Sequence, residues 1–144
     1  MVQPKYTLHE HRARRAGFHL DLRLQKGNDV YSFALPKSTL PDGQKIFLAI
    51  LSHVDRNNLS ALTFVGSISN GEYGSGSLSI RETGTYKILD WPSDNSKIVF
   101  EIPRQFNYQD LFGRYYLVKT SNENNFIFGK KGITYVREIN SSYS

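Results

Sequence analysis

Short runs of β-favouring residues alternate with turn chemistry along almost the whole chain, and that rhythm leaves little room for anything but a sheet. The runs are Phe18–Leu24, Val30–Leu35, Ile46–Leu51, Leu62–Val65, Leu78–Ile80, Tyr86–Leu89, Ile98–Ile102, Tyr115–Val118, Phe126–Phe128 and Ile133–Val136. Between them stand Lys26-Gly27-Asn28-Asp29, Pro41-Asp42-Gly43, Ser69-Asn70-Gly71 and Glu82-Thr83-Gly84, residues that supply positive φ or preset turn dihedrals. Many short strands at this spacing predict an all-β fold, a compact β-barrel or sandwich around one core. Only Asn107–Gly113 reads as a helical turn, so at most one or two short helical turns are expected. The 144 residues suit a single domain over 1–144, with a polar tail from about residue 140 that is expected to fray.

The chain has no cysteine, which excludes a disulfide framework, a thiolate zinc site and a cysteine nucleophile. Any metal must be held by His, Asp, Glu or backbone oxygen. The longest apolar run, Ile46–Leu51, is six residues, too short to span a bilayer, and the start MVQPKYTLHEH lacks a signal-peptide core. A soluble, cytoplasmic, monomeric protein without a membrane role is expected. The net charge of +5 is unevenly spread: residues 1–26 carry six cationic residues against Glu10 and Asp21, and so hold +4 of it. A localised basic segment is the footprint of a nucleic-acid or phosphate-ester partner, although a solvated basic arm would look the same.

Within that segment Phe18–Leu24 alternates strictly, with Phe18, Leu20, Leu22 and Leu24 on one face and His19, Asp21 and Arg23 on the other. Period two means a strand. Its polar face presents an imidazole, a carboxylate and a guanidinium, each about 7 Å from the next. His19 and Asp21 are suitable donors for a divalent metal, and Arg23 offers a planar fork to an anion. The competing structural reading is a solvent-exposed face on which these charges merely pair. Against it, His9, His11 and His19 are three of only four histidines and fall close together, and His53 closes another β-run. The Gly-rich stretch Gly71–Gly76 is not a phosphate-cradling loop, since no Gly-Lys-Ser/Thr follows; a hairpin with Tyr73 packed over it is expected. Lys37 and Lys45 are ordinary lysines when taken alone.

Taken in order, the stretches HEHRARRAGFHLDLRL, FALPK, LSHV, SNGEYGSG, GRYYLVK and FIFGKK resemble the 3′-phosphoesterase domain of bacterial DNA ligase D and its free-standing archaeal and bacterial relatives. The resemblance covers most of the chain. It implies a β-barrel that uses manganese to remove a 3′-terminal ribonucleoside and then the 3′-phosphate, leaving a 3′-hydroxyl. It places the metal ligands on His11, His19 and Asp21, phosphate contacts on Arg23 and His53, and basic positions near the scissile phosphate on Lys37 and Lys45. His9 is the alternative first ligand or a neighbour supporting the site, because Ala16-Gly17 reads as an insertion, and Arg14 and Arg15 are expected to contact nucleic-acid phosphates. Asn57 stands where the family usually has a tyrosine.

The implied partner is a nucleic-acid 3′ end, with a DNA ligase or polymerase as the candidate protein partner. On this reading Arg23, His53 and Lys37 are catalytic: Arg23 and Lys37 hold non-bridging oxygens, and His53 orients the phosphate or donates a proton. Two other classes compete. H-x-D plus a distant His on a barrel is also the pattern of a non-haem iron oxygenase. A non-catalytic nucleic-acid-binding barrel would use Arg12–Arg15 and exposed aromatics for stacking.

Overall fold

The structure, a computed structural model, describes residues 2–15, 17–68 and 76–132. Ten strands follow one another among these residues: β1 Lys5–Ala13, β2 Gly17–Lys26, β3 Asp29–Leu35, β4 Phe47–Asp55, β5 Gly66–Ile68, β6 Gly76–Thr85, β7 Lys87–Asp90, β8 Lys97–Ile102, β9 Gly113–Lys119 and β10 Asn125–Lys130. They form one antiparallel sheet in the order β5-β6-β1-β2-β3-β4-β10-β9-β8-β7. The all-β class expected from the sequence holds. Closure into a barrel does not, because β5 and β7 are edge strands with no ladder between them.

The sheet nevertheless rolls on itself. Ten strands laid flat would span more than about 40 Å, yet Trp91 just after β7 meets Tyr31 of β3 with ring centroids 4.9 Å apart, and the Tyr86 hydroxyl donates to the Gln25 carbonyl. Rolling gives one core from alternate residues of both halves: Tyr6 and Leu8, then Leu20, Leu22 and Leu24, facing Phe100, Leu117, Phe126 and Phe128. β2 shows the reason most clearly, since its leucines fill the core while His19, Asp21 and Arg23 point away from it. Phe18 departs from the expectation: it is 41% exposed, with the Arg12 guanidinium 5.0 Å over its ring. Close approach of β6 to β1 requires a glycine, because a Cβ on Gly76 would lie 2.0 Å from the Arg12 carbonyl oxygen.

Three local expectations are corrected. Lys5–Ala13, not anticipated as a strand, is the paired β1. Leu62–Val65 is not a strand; a single 3-10 turn, Leu59–Leu62, leads into an extended passage to β5. The Ala61, Leu62 and Phe64 carbonyls here are bound by side chains of β1 and β2 instead of by a strand ladder. Asn107–Gly113 forms no helical turn. Gln109, buried in that loop, accepts from the Gln105 and Phe106 amides and donates to the Pro103 and Leu111 carbonyls, supplying the hydrogen bonds a helix would have made. The stretch Gly71–Ser75, Tyr73 within it, the run Ile133–Val136 and the polar tail lie outside the described residues. Among the described residues no helix is long and apolar enough to cross a membrane.

The same loop is pinned to the core by Glu82. Its carboxylate is 5% exposed and accepts from the Tyr6 hydroxyl at 2.7 Å, the Asp110 amide at 2.6 Å and the Leu111 amide at 3.1 Å. Burial, and then the Glu82 hydrogen bond, push the Tyr6 hydroxyl pKa up. Glu82→Gln turns one of its two acceptor oxygens into a donor facing donors, and should cost about 2–3 kcal/mol in urea unfolding, with Tyr6→Phe costing about 1. A loss below about 0.5 kcal/mol for Glu82→Gln would show that the carboxylate does not hold the loop.

Candidate metal centre and anion cleft

β1 and β2 pair with His11 opposite His19, His9 opposite Asp21 and Thr7 opposite Arg23. Antiparallel register therefore puts all six side chains on the outer face, with the ligand-type groups as cross-strand neighbours. His11 Nδ1 lies 3.2 Å from Asp21 Oδ2, His19 Nε2 lies 3.2 Å from Asp21 Oδ1, and the two ring nitrogens are 3.1 Å apart. His11 and Asp21 are buried and His19 is half-buried.

This triangle fits a cation. Three N or O donors about 2.1 Å from one metal and at right angles to each other would be about 3.0 Å apart. Asp21 Oδ1 is buried without a hydrogen-bond partner, although His19 Nε2 is at contact distance. A buried carboxylate oxygen beside an imidazole nitrogen, with no hydrogen bond between them, suits a cation shared by the two. No other group of three or more His, Cys, Asp or Glu among the described residues has this geometry.

The triad opens into a cleft of about 730 Å³, whose walls include Arg23, His53, Asp55, Ser60, Phe64 and Ile68. The far wall is the segment between β4 and β5, strapped across the outer face by three hydrogen bonds: Thr7 Oγ1 to the Leu62 carbonyl, His9 Nε2 to the Phe64 carbonyl at 2.8 Å, and Arg23 Nη1 to the Ala61 carbonyl at 2.7 Å. Ala61 and Leu62 of the strap cluster with Val30 beneath. Arg23 is thus neither a free anion fork nor an exposed ion pair. One guanidinium arm anchors the strap, and Nε is buried without a partner. Burial pulls its pKa down, while Asp21 and Asp55 oppose that shift. His53 is exposed on the opposite side, with Nε2 3.0 Å from Asp55 Oδ1.

The structure brings together His11, His19, Asp21, Arg23 and His53 of the sequence-derived set. It places the rest elsewhere. His9 is fully buried with its ring turned to Phe64, and is not part of the ligand triangle. Lys37 lies in the turn after β3, Lys45 before β4, and Arg14 and Arg15 in the β1–β2 turn; all four are exposed and none lines the cleft. Asn57 sits in the turn after β4, its amide donating to Asp29. Sequence reasoning missed Asp55, although His53-Val54-Asp55 carries a readable period-two signal. It also missed Thr7 and the strap, whose positions follow from long-range pairing.

Residues 9–119 match the family model of the DNA ligase D 3′-phosphoesterase domain. The chain belongs to this family. The match takes in every cleft residue named above. The phosphoesterase domain is similar to part of the multifunctional non-homologous end joining protein LigD of Mycolicibacterium smegmatis, 34% identical over 128 residues, which is 83% of this chain and 16% of that protein. Its counterpart in Mycobacterium bovis is 36% identical over 122 residues, 82% of this chain and 15% of the relative. That in Pseudomonas aeruginosa is 29% identical over 117 residues, 81% of this chain and 13% of the relative. This phosphoesterase domain therefore spans between 13% and 16% of the length of these relatives.

The environment of His9 has a consequence for stability. Its Nε2–H donates to a carbonyl, so Nδ1 is bare and buried; burial and then the Arg23 charge lower the His9 pKa to about 4 from 6.5. Between those values the unfolded chain takes up a proton that the folded chain refuses, so stability falls as pH drops from about 6.5 towards 4. His9→Gln keeps an amide donor for Phe64 and cannot titrate. In metal-free protein, urea midpoints across this window should fall less steeply for His9→Gln than for the parent. Parallel pH profiles would contradict a buried neutral His9.

Proposed function

We propose that this phosphoesterase domain is a manganese-dependent 3′-end-healing enzyme that removes a 3′-terminal ribonucleoside and then the 3′-phosphate from a nucleic-acid strand. The observation that carries this reading is the convergence of His11, His19 and Asp21, 3.1–3.2 Å apart, in a cleft they share with Arg23 and His53. A divalent cation held by that triad would supply positive charge to a phosphoryl group and favour ionisation of water. Arg23 adds fixed positive charge towards the non-bridging oxygens in a partly water-excluded site, where charge counts for more than in bulk water. Asp55 orients the His53 ring through Nε2, which leaves Nδ1 to hold the proton that the departing oxygen needs.

In the first step water adds to phosphorus and the bond to the O5′ of the terminal ribonucleoside breaks, leaving a 3′-phosphate. In the second, water adds again and the P–O3′ bond breaks, releasing inorganic phosphate and a 3′-hydroxyl. A set of two histidines and one carboxylate also suits non-haem iron. Family membership, together with Arg23 and His53 on the same cleft, favours phosphoester chemistry. The end-joining role carried in the relatives' names extends here as a proposed setting, with a DNA ligase or polymerase receiving the healed end.

A 5′-labelled DNA strand ending in one ribonucleotide, incubated with protein and manganese, should shorten to a 3′-phosphate product and then to a 3′-hydroxyl. Excess EDTA should stop both steps. Asp55→Asn should slow turnover at saturating substrate about 10-fold or more while leaving the melting temperature unchanged, in line with the usual contribution of a positioned acid–base group. Absence of shortening with manganese, or undiminished shortening in EDTA, would refute the proposal.

A further inference from the structure

The cleft has two unlike sides, and the strand registers fix how they lie about the triad. On one side Arg23 pairs with Ser32 and Ser32 with His53, so three side chains able to donate to an anion stand in a row across β2, β3 and β4. Arg23 Nε and Ser32 Oγ are both buried without a hydrogen-bond partner. Each is a donor in the cleft wall whose cost an oxyanion would remove. On the other side His11 pairs with Leu78 and Leu78 with Gly66, which carries the surface from β1 across β6 to β5. There the lining is Phe64, Ile68 and Leu78, with no charged side chain beyond the triad. From β1, β6 is one strand spacing away and β5 two, about 5 and 10 Å. A single nucleotide whose phosphorus lies at the triad covers that distance.

Phe64 is the residue of this wall that packing does not explain. Its side chain is 43% exposed, joins neither core cluster and has no aromatic or cationic partner among the described residues. Its backbone, by contrast, is fixed. The Phe64 carbonyl accepts from His9 Nε2 at 2.8 Å, and Gly66, two residues on, is already in the β5–β6 ladder. An aromatic ring carried over a cleft on a pinned backbone has little freedom left to lose when a flat ligand meets it, which favours stacking. The apolar wall has no charge to hold a second phosphate, so the part of a 3′ end that suits it is a base with its sugar. His53, across the triad, faces the departing oxygen, so the departing group leaves on the far side from Phe64.

We propose that Phe64 stacks on the base of the nucleotide that retains the scissile phosphate, with Ile68 against its sugar. The proposal rests on the cleft being a 3′-end site. Its test needs no turnover: anisotropy of 5′-fluorescein oligonucleotides that end in a 3′-methylenephosphonate, whose P–C bond cannot be hydrolysed, titrated with manganese present. One strand keeps the last base and a second carries an abasic tetrahydrofuran residue in its place. The parent should bind the first about fivefold or more tightly than the second. Phe64→Ala should bind both with the affinity the parent shows for the abasic strand, and Phe64→Trp should restore the preference. Adding a terminal ribonucleoside beyond the phosphonate, with or without its own base, should leave the two forms within about twofold of each other. Melting temperatures check that each variant is folded.

Equal affinity of the parent for the first two strands would overturn the proposal. So would an equal loss on both strands in Phe64→Ala, which would make the ring a structural part of the strap. A preference governed by the base of the added ribonucleoside would move the contact to the departing group and overturn it as well. These outcomes separate from those of the activity assay. Turnover without the base preference rejects the Phe64 platform alone, whereas the predicted preference without turnover rejects the hydrolytic reading and keeps the platform.

Discussion

The register between β1 and β2 is the constraint on which the rest of the molecule depends. With His11 opposite His19 and His9 opposite Asp21, one face of the pair carries the three histidines and Asp21 and the other carries Tyr6, Leu8, Leu20, Leu22 and Leu24. A slip of one residue would turn imidazoles and a carboxylate into the core and leucines to water. At roughly 1.5–3 kcal/mol for each large apolar side chain buried, the five core residues hold the register far more firmly than the polar face opposes it. The core thus provides the energy that holds His11, His19 and Asp21 together.

The polar face is made tolerable by the strap. Thr7, His9 and Arg23 would otherwise be costly to cover, and each instead satisfies a carbonyl of the passage between β4 and β5. Covering the face excludes water from one side of the triad and leaves the other open towards His53. The same hydrogen bonds explain why this passage is not a strand. The fold therefore builds its cleft from two layers, a sheet that fixes the candidate ligands and a strap that fixes the wall, with Arg23 belonging to both.

The sequence was most legible where one physical pattern acted alone. The alternation in Phe18–Leu24 read as β2 because its leucines meet only the core. β1 escaped notice because its outer face is polar yet buried beneath the strap, so Thr7, His9 and His11 look like a solvated stretch. Asn107–Gly113 misled because one buried side chain, Gln109, replaces helical hydrogen bonds with its own. For the site, histidine density and the H-x-D-x-R pattern led to His11, His19, Asp21 and Arg23. The choice of His11 over His9 as ligand depends on where each ring points, and only the cross-strand pairing and the Phe64 carbonyl decide that.

The claim that joins fold to function is that register alone assembles a metal centre from His11, His19 and Asp21. Calorimetric titration of manganese into the purified chain tests it without reference to any substrate. One ion per chain should bind, His11→Ala and Asp21→Asn should each weaken binding by about 100-fold or more, and His9→Gln should bind within about threefold of the parent. Equal affinity in His11→Ala and the parent, or loss of binding in His9→Gln alone, would contradict the account.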